Sequence, residues 1–373
     1  MRSTILGAAL KLAVGLAITV VIFAAVEAAL RAAGFEHHPP SPIRIWNPRM
    51  DQGLQRSEGM YRFHPYWFWE PRPRVAVADC PDERINAAGY RGAQRARERR
   101  PDTLRIVTLG DSSTFGMGVC SRDSYPAVLE RLLPESEVLN FGVVGFSAFQ
   151  GEKLLAGRAL AYRPALILAA FGAVDEQFPA HPDVDAKFAI TSRVSPWAAE
   201  WRDRLHPLRL FQLMERALAT GAAPTAVEQQ RAFFNYSRWA KGAPNYVRNQ
   251  SLPSFKRSLE AIVTHARAHG TRVALIAPPR RRAVETRWPA VEGYSAAIAE
   301  TASRLGVPCW DVRAVFRAIP DADSTLFLDN YHPNAAGHVV YATFLAEQIR
   351  QLTAADAPPA HSPARGMAPA ETR

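Results

Sequence analysis

A parallel α/β fold is what this sequence predicts, and two features predict it. Short apolar runs recur at Leu104–Leu109, which is rich in β-branched residues, and at Val138–Phe141, Ala165–Phe171, Arg272–Ala277 and Val307–Val312. Between them lie stretches with helical periodicity, at Tyr125–Leu133, Phe255–His269 and Tyr294–Leu305. A continuous apolar run suits a strand buried on both faces, and alternation with helices places those helices on the two sides of a parallel sheet. Gly110 ends the first run, and Pro278 and Pro279 close the fourth, as chain-breaking residues do.

The 373 residues suffice for one large domain with extensions, and 48% hydrophobic content supports a sizeable core. The formal charge of +10 is compatible with several anionic partners. No zinc-finger spacing or RNA-binding aromatic motif accompanies it, so nucleic acid is not the expected partner and the arginines read as a solvated surface. The three cysteines, Cys80, Cys120 and Cys309, lack the spacing of a zinc site, and no metal is expected. Cys309 lies in an apolar run and reads as a buried small hydrophobe. Cys80 and Cys120 fall in loop-like sequence and are candidates for a disulfide if the domain is exported.

The chain organises into four parts. Residues 5–30 are apolar apart from Lys11 and Glu27, close to the length that spans a bilayer. Arg2 and Lys11 precede the apolar core, which predicts a single-pass inner-membrane protein with the rest of the chain on the periplasmic side. A cleaved signal peptide is the alternative, but no small-residue cleavage site ends the run, so an uncleaved anchor is favoured. Residues 35–103 are rich in proline, arginine and aromatics, densest from Tyr61 to Trp69, and read as an extended segment that packs on the main domain. A free carbohydrate-binding module is the sharper alternative for those aromatics. Residues 104–352 form the main domain, with a helical insertion or lid at about 176–249. Residues 353–373 are Ala/Pro-rich and expected to be disordered.

Two stretches carry chemistry. In Gly110-Asp111-Ser112 a serine leaves the C-terminal end of the first strand, the functional edge of a parallel sheet. Its alternative role is to cap the next helix together with Asp111. In Asp329-Asn330-Tyr331-His332-Pro333 an acid and a histidine lie three apart. A serine hydroxyl needs a base to take its proton, and a carboxylate on the second imidazole nitrogen fixes the tautomer of that base. His338 reads as part of the following helix surface. Arg280, Arg281 and Arg282 follow the fourth strand at the same sheet edge. They read as a solvated loop, with Arg280 and Arg281 as candidates to meet an anionic substrate group.

The order of Gly-Asp-Ser, a glycine loop after the second strand, a Gly-x-x-Asp loop after the third and Asp-x-x-His-Pro near the end resembles the SGNH/GDSL hydrolases, over roughly Leu104 to Leu352. The segment Ile85-Asn86-Ala87-Ala88-Gly89-Tyr90-Arg91-Gly92 is similar to bacterial members that carry an N-terminal membrane helix. The resemblance implies a three-layer α/β/α sandwich on a five-stranded flavodoxin-like sheet. It implies Ser112 as nucleophile, His332 as base, Asp329 as orienting acid, and the backbone N–H groups of Ser112 and Gly145 as oxyanion donors. It also implies no cofactor. One position departs: Phe171-Gly172-Ala173-Val174-Asp175 has Val174 where the family has an oxyanion asparagine. Three functions stay open: an esterase acting on an acylated glycan or small ester, an O-acyltransferase modifying a surface polysaccharide with a membrane acyltransferase partner, and a non-catalytic binding protein.

Overall fold

A computed structural model gives the structure, which describes residues 2–37, 60–64, 66–177, 195–218 and 250–354, with the single residues 238, 241 and 248. Thr353 and Ala354, expected to open a disordered tail, close the last helix instead; the rest of that tail and most of the expected insertion lie outside the described residues. The chain opens with α1 (Arg2–Ala32). Two antiparallel hairpins follow, β1 (Tyr61–His64) with β2 (Phe68–Pro71), and β3 (Ala76–Val77) with β4 (Cys80–Arg84). The main domain then runs β5 (Leu104–Gly110), α2 (Ser112–Phe115), α3 (Tyr125–Leu132), β6 (Ser136–Gly142), α4 (Ala148–Gly157), β7 (Leu166–Ala170) and α5 (Ala173–Glu176). Helices α6 (Pro196–Leu205) and α7 (Arg209–Leu218) come from the inserted stretch. The chain closes with α8 (Leu252–Ala268), β8 (Arg272–Ala277), α9 (Ala290–Leu305), β9 (Cys309–Asp311) and α10 (Ala335–Ala354).

The five strands of the main sheet are all parallel, in the order β6-β5-β7-β8-β9. Alternate residues of each inner strand feed two separate cores. Val107, Leu109, Ile167, Ala169 and Leu275 pack toward α4, α8 and α9, whereas Ile106, Leu166, Leu168, Ala274 and Ile276 pack toward α3 and α10. This is why the strands read as unbroken apolar runs: the period of two is present, but both phases are buried. Each such Leu or Ile contributes roughly 1.5–3 kcal/mol by leaving water.

Tyr61, Tyr66, Trp67, Phe68, Trp69 and Tyr90 of the N-terminal segment belong to the first core. Trp67 and Trp69 are fully buried; the Trp69 indole N–H donates to the Val144 carbonyl (2.9 Å), and the Gln150 amide donates to the Trp67 carbonyl (3.1 Å). Behind them lies a buried ionic network in which Glu70 accepts from Arg62 and Arg158, and Arg158 also pairs with Asp203 of α6. His64, stacked on Trp67 at 3.5 Å, is held neutral by burial, its pKa lowered to about 4. Two expectations fail here. Cys309 is exposed, because β9 is an edge strand and its alternation turns Trp310 inward instead. His338 is fully buried in the first turns of α10, where its Nδ1 accepts the Tyr125 N–H (3.1 Å) and burial lowers its pKa to about 3.

Candidate active site

Strand β5 has β6 on one side and β7 on the other, so consecutive connections leave it in opposite directions and open a crevice at its C-terminal end. Ser112 stands in that crevice as the first residue of α2. Asp111 is the N-cap: its Oδ1 accepts the Ser113 N–H (2.9 Å), and burial pushes its pKa up to about 6. The capping expected from sequence is made by Asp111, which leaves the Ser112 hydroxyl free of that task. The turn fits tightly against the next loop. A Cβ on Gly142 would strike the backbone of Thr114 and Phe115, which accounts for glycine at that position.

The second stretch reaches the first across 220 residues of sequence. The Ser112 Oγ lies 2.7 Å from His332 Nε2, and His332 Nδ1 lies 2.7 Å from Asp329 Oδ2. An ionised carboxylate only accepts, so the Nδ1 proton points at Asp329 and Nε2 is left to accept from the serine hydroxyl. Asp329 Oδ1 accepts the backbone N–H groups of Tyr331 and His332, both at 2.9 Å. Burial works against the charged forms of both side chains. Pairing outweighs it: Asp329 is pulled down to about 2 and the His332 pKa is raised. The Ser113 hydroxyl donates to the Tyr331 carbonyl (3.0 Å) and ties the two loops together.

Gly145 lies in the β6–α4 loop with φ +77°, a conformation open to glycine. Among the described residues, the backbone N–H groups of Ser112 and Gly145 have no protein acceptor. Val174 is half-buried in α5. Its neighbour Asp175 is fully buried, accepts the N–H groups of Ala148 (2.8 Å) and Gly172 (3.0 Å), and is raised by burial to about 7.

The arginine loop does not behave as a solvated surface. Arg280 is buried, donating to Ser295 (3.0 Å) and Glu292 (2.6 Å). The Arg281 guanidinium donates to the Phe327 carbonyl (3.1 Å), and its N–H to the Asn330 carbonyl (3.0 Å). Arg281 thus braces the loop that carries Asp329 and His332, whereas Arg280 is tied to α9. Sequence reasoning missed Arg91. Its guanidinium donates to the carbonyls of Phe115 (2.9 Å), Gly116 (2.7 Å) and Val119 (2.7 Å), and pairs with Glu83 (2.9 Å). Cys80 and Cys120 are joined in a disulfide with Cα atoms 5.2 Å apart, beside the Asp79 carboxylate that accepts the Gly118 N–H (2.9 Å).

The family model for GDSL-like lipases/acylhydrolases matches residues 108–340. The chain belongs to this family. It is an ester-hydrolysing enzyme on an SGNH fold. Among solved structures it is similar to a lipase/acylhydrolase from Enterococcus faecalis (16% identity, 67% of this chain and 97% of that one, TM-score 0.44). It is similar too to the aryl esterase of M. smegmatis (15% identity, 67% and 100%, TM-score 0.41). An acetyl xylan esterase, AlAXEase, aligns at 13% identity over 66% of this chain and 100% of that one, with a TM-score of 0.41. No curated protein matches the chain.

Proposed function

We propose that the enzyme is a membrane-anchored serine esterase that removes an acyl group, from a glycan or a small ester, through an acyl-enzyme. The observation that carries this reading is the continuous Ser112–His332–Asp329 hydrogen-bond chain. Ser112 attacks the ester carbonyl as His332 takes its proton, and the imidazolium that forms is stabilised by Asp329. The N–H groups of Ser112 and Gly145 receive the developing oxyanion. His332 then protonates the departing alcohol, and water attacks the acyl-enzyme by the same route in reverse.

The anchor reading draws on contacts at the end of α1. Among the described residues, α1 includes one apolar stretch long enough to span a bilayer, Leu10–Ala32, none of it buried in the domain. Its last turns are built into the domain: Glu27 accepts the N–H groups of Arg209 (3.0 Å) and Leu210 (2.9 Å), and Arg31 donates to the Pro207 carbonyl (3.1 Å). A segment removed as a leader would leave the start of α7 without that cap. The disulfide fits a domain exposed to an oxidising compartment.

The test is labelling of the full-length protein with a fluorophosphonate, beside Ser112→Ala and His332→Ala. Labelling of wild type that vanishes in both variants is expected, together with a burst of alcohol release from an activated ester. A folded wild type that fails to label overturns the reading and leaves a binding role for the fold.

A further inference from the structure

At the edge of the sheet opposite Ser112 the structure holds a cavity of about 870 Å³. Its place follows from Arg105, the second residue of β5. The Arg105 guanidinium donates to the carbonyls of Ala96, Arg97 and Tyr162, all three of which line the cavity. Among the described residues the lining contains nine arginines and two carboxylates, Glu36 and Asp203. Arg62 and Arg158 form a buried floor, oriented by Glu70 and Asp203. Arg74, Arg97 and Arg204 stand closer to solvent. Planar guanidinium groups in such density match the oxygens of a phosphate.

The surroundings of the cavity say where such a phosphate comes from. Arg31, in the last turn of α1, lines it, as do Pro207 and Arg209 at the junction of α6 and α7. That junction is the part of the domain fastened to α1 through Glu27. The same two helices expose Trp197, Trp201, Leu205, Met214 and Leu218, and their junction exposes Leu208. Exposed tryptophans and leucines beside arginines, at the end of an apolar helix, have the composition of a surface seated in the headgroup layer.

We propose that this cavity binds the phosphate headgroup of an anionic membrane lipid, with α6 and α7 lying on the bilayer. The proposal rests on the reading of α1 as an anchor. It sets the catalytic edge of the sheet away from the membrane and the cationic edge toward it.

The experiment is equilibrium binding to full-length protein in a neutral detergent, followed by native mass spectrometry. Three probes are compared: dioctanoyl phosphatidylglycerol, dioctanoyl phosphatidylcholine and inorganic phosphate. Phosphatidylglycerol is expected to bind at least tenfold more tightly than the other two. Combining Arg74→Gln with Arg97→Gln should weaken it tenfold or more, and the Arg74→Lys, Arg97→Lys pair should restore much of the loss. Equal binding of the two lipids, or an undiminished affinity in a folded double Gln variant, overturns the proposal. Inorganic phosphate that binds as tightly as phosphatidylglycerol overturns the lipid assignment in favour of a soluble phosphorylated ligand. Carbonate extraction of native membranes and the mass of the mature chain report on the anchor separately. Loss of α1 there sinks the anchor reading whatever the titration gives.

Discussion

Ser112 stands on a turn braced from outside its own segment, whereas His332 stands on a loop shaped mostly by its own residues, with help from Arg281 and Ser113. The nucleophile turn is gripped by Arg91 and Glu83, by the Cys80–Cys120 disulfide and by the Asp79 carboxylate, all from the N-terminal segment. On the other side, most of the bonds come from within a dozen residues. Asp329 caps Tyr331 and His332, the Leu328 N–H donates to the His332 carbonyl (2.8 Å), and the Asn334 amide donates to the Thr325 carbonyl (2.8 Å). The contrast teaches that the two halves of the proposed catalytic chain can fail independently, the first through remote damage and the second mostly through local change.

The largest expected effect breaks the self-made loop. Asp329→Asn should lower kcat by about 10⁴-fold, since the orienting acceptor for Nδ1–H is lost. His332 must be neutral to act as base, and Asp329 raises its pKa, so activity in wild type falls as pH drops through that raised value. In Asp329→Asn the acidic limb should move to lower pH, which a pH–rate profile reads directly. A limb that stays in place would mean that another group sets it.

The next effect loosens the braced turn. Arg91→Met should lower kcat by roughly 10²-fold through misplacement of Ser112, with KM little changed and the acidic limb unmoved, because the His332–Asp329 pair is intact. Partial recovery in Arg91→Lys would sharpen the assignment, and a shifted limb would contradict it. Val174→Asn probes the gap between the halves. A single oxyanion donor is commonly worth about 2.7–4 kcal/mol, and one introduced without its supporting shell should raise kcat by about tenfold. A fall in kcat would show that the site is already complete. Smallest in rate is the loss of the disulfide. Cys80→Ser with Cys120→Ser should cost about 2–4 kcal/mol of stability, seen as a melting temperature lower by on the order of 10 °C. Any loss in kcat should be modest, and an unchanged melting temperature would remove the disulfide from the brace.

The same contrast explains what could be read from sequence. Asp329 and His332 stood out through the resemblance to the SGNH/GDSL pattern, in combination with the Gly-Asp-Ser stretch, and their mutual contact is local, between residues three apart. The five strands were legible because burial on both faces leaves unbroken apolar runs, although β6 extends to Ser136, a polar start that the apolar pattern leaves out. Arg91 was not legible: its partners are backbone carbonyls more than twenty residues away, which no side-chain pattern announces. Arg280 and Arg281 looked solvated because the acceptors that bury them, Glu292, Ser295 and the Phe327 carbonyl, come from other elements. Cys309 and His338 were misplaced for a related reason. Whether a strand lies at the edge, and which neighbour covers the first turn of a helix, are decided by topology rather than by local composition.

The bond between Cys80 and Cys120 also closes a covalent ring, and that ring contains all of β5 and Ser112 itself. Without that bond the Ser112 turn is held by non-covalent contacts alone. Closing the ring removes loop freedom from the unfolded chain around Ser112, so the bond acts on how long the folded enzyme lasts more than on how fast it turns over.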